Sequence, residues 1–250
     1  MNKITSRKNP IITHIRKLSE DREYRYLCGE FVCEGNTMLE EALASSAEIS
    51  AVVFREGSGR TVSGTSLLYE VPEDLFSFVS PLKNSPGPVF TVKMPKSAAG
   101  SKINSAIILE NIQDPGNLGT VLRTAGAFDI GSVVLTGSCA DIYNFKAVRA
   151  SMGAVFRQRT DRVDIADLNR FAEDHSLTLY AAVLSDDAED IRNINCSGCA
   201  FVIGNEGNGV SRELLGICKR NVIIPMSPAS ESLNAAVAAG ILMWEVKRRE

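Results

Sequence analysis

Histidine is scarce in this chain of 250 residues: His14 and His175 are the only two, which leaves little from which to build a metal centre. The six cysteines (Cys28, Cys33, Cys139, Cys196, Cys199 and Cys218) are scattered. Cys196-Ser-Gly-Cys199 has the C-x-x-C spacing of a zinc half-site or a redox pair, but no second pair lies at ligand spacing. Two thiols near a turn before a strand is the favoured reading, and no metal is expected. No apolar run reaches transmembrane length, so no membrane association is expected. The N-terminal stretch MNKITSRKNPIITHIRK is basic but lacks the apolar core of a secretory signal. A cytoplasmic location with reduced thiols is therefore expected. Positive charge is not in excess either, with 27 Lys and Arg against 30 Asp and Glu and a net charge of −3. That excludes indiscriminate nucleic-acid binding over the whole surface, but not a local basic patch. There is no N-terminal G-x-G-x-x-G, which argues against a Rossmann-type dehydrogenase. Internal repeats and low-complexity tracts are absent as well.

What is present fits a globular α/β protein. Apolar residues make up 44% and charged residues 23%, and the length suffices for one large or two ordinary domains. Residues 1–30 read as one or two basic helices with Asn9-Pro10 as a breaker. Strands are expected at 31–35, 51–54, 67–71 and 88–93, with helices from 36 or 37 to 44, capped by Asn36 or Thr37, and at 72–79. These elements make a small α/β domain over 1–95. Residues 96–104 have linker composition. A second domain, 105–250, carries short continuous apolar strands at 105–110, 132–136, 178–183, 199–203 and 221–225 that alternate with helices. Such strands predict a mostly parallel sheet covered on both faces. A last helix spans about 233–249, and its alanines could serve helix packing or simply helix formation.

Three polar, glycine-containing blocks follow strands in the second domain, where ligands collect in open α/β sheets. The first, Asn111 to Arg123, turns through Asp114-Pro115-Gly116, and Asn117 caps or opens a helix that carries Arg123. An arginine so placed binds phosphate or carboxylate through its planar fork, or else forms a surface ion pair. The second, Ile203-Gly-Asn-Glu-Gly-Asn-Gly209, is not a dinucleotide fingerprint, and Glu206 would repel phosphates. It suits a ligand that is positively charged or offers hydrogen-bond donors, unless it is a plain glycine turn. The third, Ile224 to Asn234, ends a strand, and Ser230 and Ser232 are candidate N-caps with Glu231 in the first turn.

Together these blocks closely resemble the signature motifs of the SpoU/TrmH-type RNA 2′-O-ribose methyltransferases, of the SPOUT superfamily. The likeness covers about 105–250, and Asn144 to Gly153 resembles the segment between the first and second motifs. The resemblance implies a parallel sheet with a deep trefoil knot, a rare exception to unknotted connectivity. It implies S-adenosylmethionine as cofactor, held by Gly204, Ile224 and Leu233 with Ile203 and Met226 nearby. It also implies methyl transfer to a ribose 2′-hydroxyl by Arg123 as main catalytic residue, with Asn117, Glu206, Ser232 and Asn234 around it. Because free arginine is effectively always protonated, the favoured role for Arg123 is to hold the adjacent phosphate and stabilise alkoxide charge, rather than to act as base. Family members are homodimers with the site near the interface, so the partner subunit is expected at the C-terminal helix and the third motif.

The first domain, over Arg22 to Leu43 with Phe31-Val-Cys-Glu-Gly35 at its centre, resembles the RNA substrate-binding domain of the ribosomal-RNA branch, which looks like small ribosomal proteins. The first twenty-five residues carry Lys3, Arg7, Lys8, Arg16, Lys17, Arg22 and Arg25 against Glu20, Asp21 and Glu23. By itself such a run reads as a solvated helical face; with the resemblance, Arg7, Lys8, Arg16, Lys17 and also Arg149 become candidate RNA contacts. One departure from many relatives is Arg157-Gln-Arg-Thr160, where an apolar-proline pair is usual. Ribosomal RNA is the expected substrate. The alternatives are transfer RNA, or a non-catalytic RNA-binding or ribosome-assembly protein of the same fold.

Overall fold

The computed structural model describes residues 2–58, 62, 67–85, 87–95, 102–227 and 231–249. The chain divides into two compact units, residues 1–96 with 141–156, and residues 97–140 with 157–250. Most of the expected linker, 96–101, lies outside the described residues.

The first unit contains β1 (Asn2–Lys3), α1 (Pro10–Glu20), α2 (Arg22–Cys28), β2 (Glu30–Glu34), α3 (Asn36–Ala44), β3 (Ile49–Arg55), β4 (Leu68–Val71), α4 (Glu73–Val79) and β5 (Val89–Lys93). Its sheet runs β1-β4-β3-β5-β2, with β5 antiparallel to both β2 and β3. Asn9-Pro10 does not separate two helices, as the sequence suggested, but starts α1. The Asn9 side chain accepts from the Ile11 amide at 3.0 Å, and Pro10 sits in the first turn, where its missing N–H has no intrahelical partner to lose. The break falls instead at Asp21, whose carboxylate accepts from the Tyr24 amide at 3.0 Å and caps α2. Neither Asn36 nor Thr37 caps α3: Gly35 holds that position with φ 105°, a conformation open to glycine, and no side chain bonds the helix end. Ile12, Ile15 and Leu18 of α1 pack with Val32, Val53, Phe76 and Val89 into the core.

Residues 141–156 join this unit. They form a helix at Phe145–Ser151, capped by Asn144, and a 3-10 turn at Ala154–Phe156. Tyr143 packs its ring 4.8 Å from that of Phe31. Asp141 is buried and pairs with buried Arg25 at 2.7 Å, while its other oxygen accepts from the Tyr26 hydroxyl and the Tyr143 amide.

The second unit contains β6 (Ser105–Glu110), α5 (Pro115–Ala127), β7 (Ser132–Thr136), then, after the helix just described (α6), β8 (Thr160–Arg162), α7 (Leu168–His175), β9 (Thr178–Ala182), β10 (Glu189–Asp190), β11 (Cys199–Ile203), α8 (Arg212–Ile217), β12 (Arg220–Ile223) and α9 (Ala235–Lys247). The seven strands, in the order β10-β12-β9-β11-β6-β7-β8, all pair in parallel. One face buries Ile108, Val134, Leu179 and Val202 against Leu168 of α7 and Leu214 of α8. The other packs on α5 and α9. Ile107, Ile108 and Leu109 in β6 are fully buried, and each contributes roughly 2 kcal/mol by leaving water. That burial on both faces explains why the strands read as continuous apolar runs rather than alternating ones. The unusual Arg157–Thr160 stretch is tied down by polar contacts: Gln158 donates to the Ile130 carbonyl at 3.0 Å and Arg159 pairs with Asp161 at 2.7 Å.

Candidate functional site

The strand order brings the carboxyl ends of β6, β11, β9 and β12 side by side, and the three polar blocks leave from β6, β11 and β12. After β6, Asn111 takes a left-handed φ of 54°. Its carbonyl accepts from the Gln113 side chain at 3.0 Å and from the Asn205 side chain at 2.9 Å, so the first block is tied to the second. Asp114, not Asn117, caps α5: its carboxylate accepts from the Asn117 amide at 2.8 Å, which places Asn117 in the first helical turn with its side chain free for other partners.

Those partners join all three blocks. The Asn117 side-chain amide donates to Glu206 at 3.1 Å, and its carbonyl oxygen accepts from Asn234 at 3.0 Å. A weak contact from the Gln113 amide, at 3.5 Å, reaches the other Glu206 oxygen. Asn234 is the N-cap of α9 and accepts from the amides of Ala236 and Val237. The expected cap Ser232 lies two residues before it; Ser230 falls outside the described residues.

In the second block, Asn205 and Gly209 exchange two backbone hydrogen bonds of 3.0 and 2.9 Å, closing the loop on itself. Gly204 lies beneath this closure. A Cβ at Gly204 would overlap the backbone of Gly209 and Val210, so the chain can pass here only over a residue without a side chain. Glu110, at the end of β6, is buried and accepts from the Ser211 amide at 2.8 Å, holding the loop's exit.

Between these loops opens a cleft of about 740 Å3. Ile203, Gly204, Ile224, Met226 and Leu233 line it, together with Glu206, Ser232 and Asn234. Asn117 reaches the cleft only through its bonds to Glu206 and Asn234. Arg123 does not line it: it is exposed on the outward side of α5 and makes no hydrogen bond or ion pair among the described residues. Six residues along a helix turn the side chain through about 600°, roughly 120° short of two full turns, which carries Arg123 away from the Asn117 face. The sequence reading missed Ala182, Val183 and Leu184, which form a further wall at the end of β9. Their signal was positional alone, a strand end in a parallel sheet. It also missed Asn205, whose side chain joins the first two blocks.

The five basic residues singled out in the sequence all fall in the first unit. Arg7 and Arg16 stack on Phe78, with guanidinium carbons 4.7 and 4.4 Å from the ring centre, and the Lys17 ammonium lies 5.3 Å from that of Tyr24. Lys8 is exposed, as is Arg149 near the end of α6. Among the described residues no helix is long and apolar enough to cross a membrane, and no group of three or more potential metal ligands occurs.

Comparison with known proteins agrees with this geometry. The SpoU rRNA Methylase family model matches residues 104–244, and an MRM3-like substrate binding domain matches 9–89. The chain is 31% identical to the 23S rRNA (guanosine(2553)-2′-O)-methyltransferase RlmP of Bacillus subtilis, over 99% of this chain and 100% of that one. It is 27% identical to the human mitochondrial rRNA methyltransferase 3, over 95% of this chain and 72% of the relative. Among solved structures, the AdoMet-bound rRNA methyltransferase of Sinorhizobium meliloti superposes with a TM-score of 0.87 at 27% identity, covering 99% and 98% of the two chains. A cleft at parallel strand ends, walled by three blocks in the order of the family's motifs and matched along nearly the whole chain, places this protein in the SpoU rRNA methylase family.

Proposed function

We propose that this protein transfers the methyl group of S-adenosylmethionine to a ribose 2′-hydroxyl of ribosomal RNA, and that a guanosine of the large-subunit RNA, as in the Bacillus subtilis relative, is the first candidate target. The observation that carries the reading is the cleft and its lining. Its volume suits a cofactor, Val183, Leu184, Ile203, Ile224 and Met226 offer apolar walls for an adenine, and Glu206 and Glu231 offer negative charge. No lysine or arginine is among the described residues that line it, which suits a sulfonium cation and not a pyrophosphate. Bound there, S-adenosylmethionine supplies an electrophilic methyl group.

The chain's own residues then bind and orient. Asn117 bridges Glu206 and Asn234 and so keeps the cleft's rim in one arrangement before the RNA arrives. Ser232 lines the cleft and is exposed there, which supports giving its hydroxyl the contact to the ribose. Arg123 holds the neighbouring phosphate and stabilises charge on the reacting oxygen. Since Arg123 faces away from the cleft of its own chain, the proposal includes a homodimer in which one copy's Arg123 serves the other's cleft. An exposed apolar side of α9 supports the dimer. α5 and α9 run side by side, with Asn117 bonded to Asn234 and Phe128 packed 5.7 Å from Trp244, and the outward side of α9 leaves Val237 and Trp244 each 51% exposed. The proposal also includes a deep trefoil knot in the C-terminal part of the chain, which the family's fold implies. The basic, aromatic-backed face of α1 and Arg149 contact the RNA, and the site of action is the cytoplasm.

Incubation with methyl-labelled S-adenosylmethionine and ribosomal RNA should label a single ribose, identified by mapping 2′-O-methyl positions. Arg123→Ala should abolish turnover while cofactor binding stays intact. Equal loss of both would overturn the role given to Arg123, and labelling of transfer RNA alone would overturn the substrate.

A further inference from the structure

The loop that walls the cleft, residues 204–210, is tied down at both ends by two successive residues, Glu110 at the end of β6 and Asn111 after it. At its entrance the Asn205 side chain donates to the Asn111 carbonyl at 2.9 Å. Asn111 is itself fixed, because the Ser138 amide donates to its side-chain oxygen at 2.7 Å. At its exit the Ser211 amide donates to Glu110 Oε2 at 2.8 Å. Ser211 then caps α8, its hydroxyl accepting from the Leu214 amide at 3.3 Å. Between the two ties the loop lays exposed Glu206, Gly207 and Asn208 along the cleft.

Glu110 is an expensive residue for that position. It continues the face of β6 that carries Ala106 and Ile108, both part of the apolar cluster under α7 and α8, and it is 1% exposed. Among the described residues it forms no ion pair, and its second oxygen, Oε1, accepts no hydrogen bond. Its register partner in β7 is Thr136, whose buried hydroxyl is also without a partner. A buried carboxylate satisfied on one oxygen only weakens a fold, and an apolar side chain of the same volume would serve the core better. The single bond it makes runs to the loop, so what Glu110 gives the protein is the placement of Ser211.

We propose that Glu110 is a positioning residue for the methyl transfer: through the Ser211 amide it holds the cleft loop in the arrangement in which Glu206 meets Asn117 and the loop backbone fits the cofactor. The inference rests on S-adenosylmethionine occupying the cleft, as proposed above. Glu110 itself does not line the cleft and acts only through the loop. Because Asn117 bonds both Glu206 and Asn234, slack at Ser211 passes to the rim formed by all three blocks. A charged acceptor is suited to this task, since hydrogen bonds to a carboxylate are shorter and stronger than those to a neutral oxygen.

The test compares wild type, Glu110→Gln and Glu110→Met as full chains. Glutamine keeps an acceptor oxygen at the same reach; methionine keeps length and volume without an acceptor. Titration calorimetry with S-adenosylmethionine, run well below Tm so that every variant is folded, should show Kd raised about tenfold or more for Glu110→Met and within about threefold of wild type for Glu110→Gln. Amide hydrogen exchange without cofactor should run about tenfold faster at Ser211 and across 205–209 in Glu110→Met alone. Should Glu110→Met not fold, Glu110→Asp, which withdraws the acceptor by one methylene, takes its place with the same expected results. A merely structural glutamate would shift Tm and leave both readouts at the wild-type level, which overturns the proposal, as does an equal loss of affinity in Glu110→Gln and Glu110→Met. Faster exchange in Glu110→Met together with a wild type that binds no S-adenosylmethionine would support the tie at Ser211 and overturn the cofactor assigned to the cleft.

Discussion

Gly204→Ala is the sharpest probe of the cleft's construction. The new methyl group would fall well inside the 3.0 Å that real side-chain carbons keep from their neighbours, and the neighbours are backbone atoms of Gly209 and Val210 rather than a yielding side chain. Gly209 is held by two hydrogen bonds to Asn205, of 3.0 and 2.9 Å, so moving it aside breaks or stretches both. Overpacking costs about 1–3 kcal/mol and each lost bond about 0.5–1.5 kcal/mol, which together come to on the order of 3 kcal/mol. At roughly 3 °C per kcal/mol for a protein of this size, Tm should fall by about 9 °C. The loop that shifts is also the cleft wall carrying Glu206, and a loss of about 3 kcal/mol of fit there would weaken S-adenosylmethionine binding on the order of 100-fold, at about 1.4 kcal/mol per tenfold. Thermal denaturation and titration calorimetry measure the two effects. Gly207→Ala serves as the stability control, because its Cβ would meet only the Asn205 side chain at 3.5 Å, an ordinary contact. A Gly204→Ala protein with wild-type Tm and Kd would refute both the crossing and the place given to the loop.

Other expectations concern the first unit. Arg25→Ala leaves Asp141 charged with a side chain 5% exposed, which should cost about 3–5 kcal/mol in urea unfolding of the full chain; a loss under 1 kcal/mol would show that the pair does not hold residues 141–156. Glu30 is bonded by His14 at 3.0 Å, by Lys93 and by Ser50, which together hold its carboxyl at about 2 against its burial. Because that folded value lies below the unfolded one, the stabilisation is present above about pH 4.5 and lost as pH falls toward 2, amounting to about 3 kcal/mol. Unfolding of wild type and Glu30→Gln across this range should show a difference that is flat above pH 5 and vanishes near pH 2. A difference that persists undiminished at pH 2 would contradict the assignment.

The chemistry of the site was largely written in local sequence. Glycines at 204 and 209, the Asp114-Pro115 turn and continuous apolar strands are local signals, and periodicity and turn propensity depend on neighbours a few residues apart. They were enough to mark three strand-end blocks and, through the family likeness, the cleft residues Ile203, Gly204, Ile224, Met226 and Leu233. Helix ends were legible only to within a residue or two. Asn9, Asp21, Asp114 and Asn234 cap helices where neighbouring polar residues had equal claims, since the choice among them is made by the tertiary position of each helix.

What the sequence could not decide is where separated residues meet. Nothing local says that Asn117 bonds Glu206 and Asn234, that Asn205 reaches back to Asn111, or that the end of β9 completes the cleft. These contacts depend on a strand order, β12-β9-β11-β6, that only the packed sheet sets. Nor does it say that residues 141–156 pack with the first unit, because that placement rests on contacts between positions far apart in the chain, the buried Arg25–Asp141 pair and the rings of Tyr143 and Phe156 against Phe31. The sequence determined which residues carry the chemistry, since residue type alone fixes what a side chain can donate, accept or allow a backbone to do. The tertiary structure decided which of them share a site, and it set Arg123 on the outward side of α5, because a helix's phase is fixed by the face it buries.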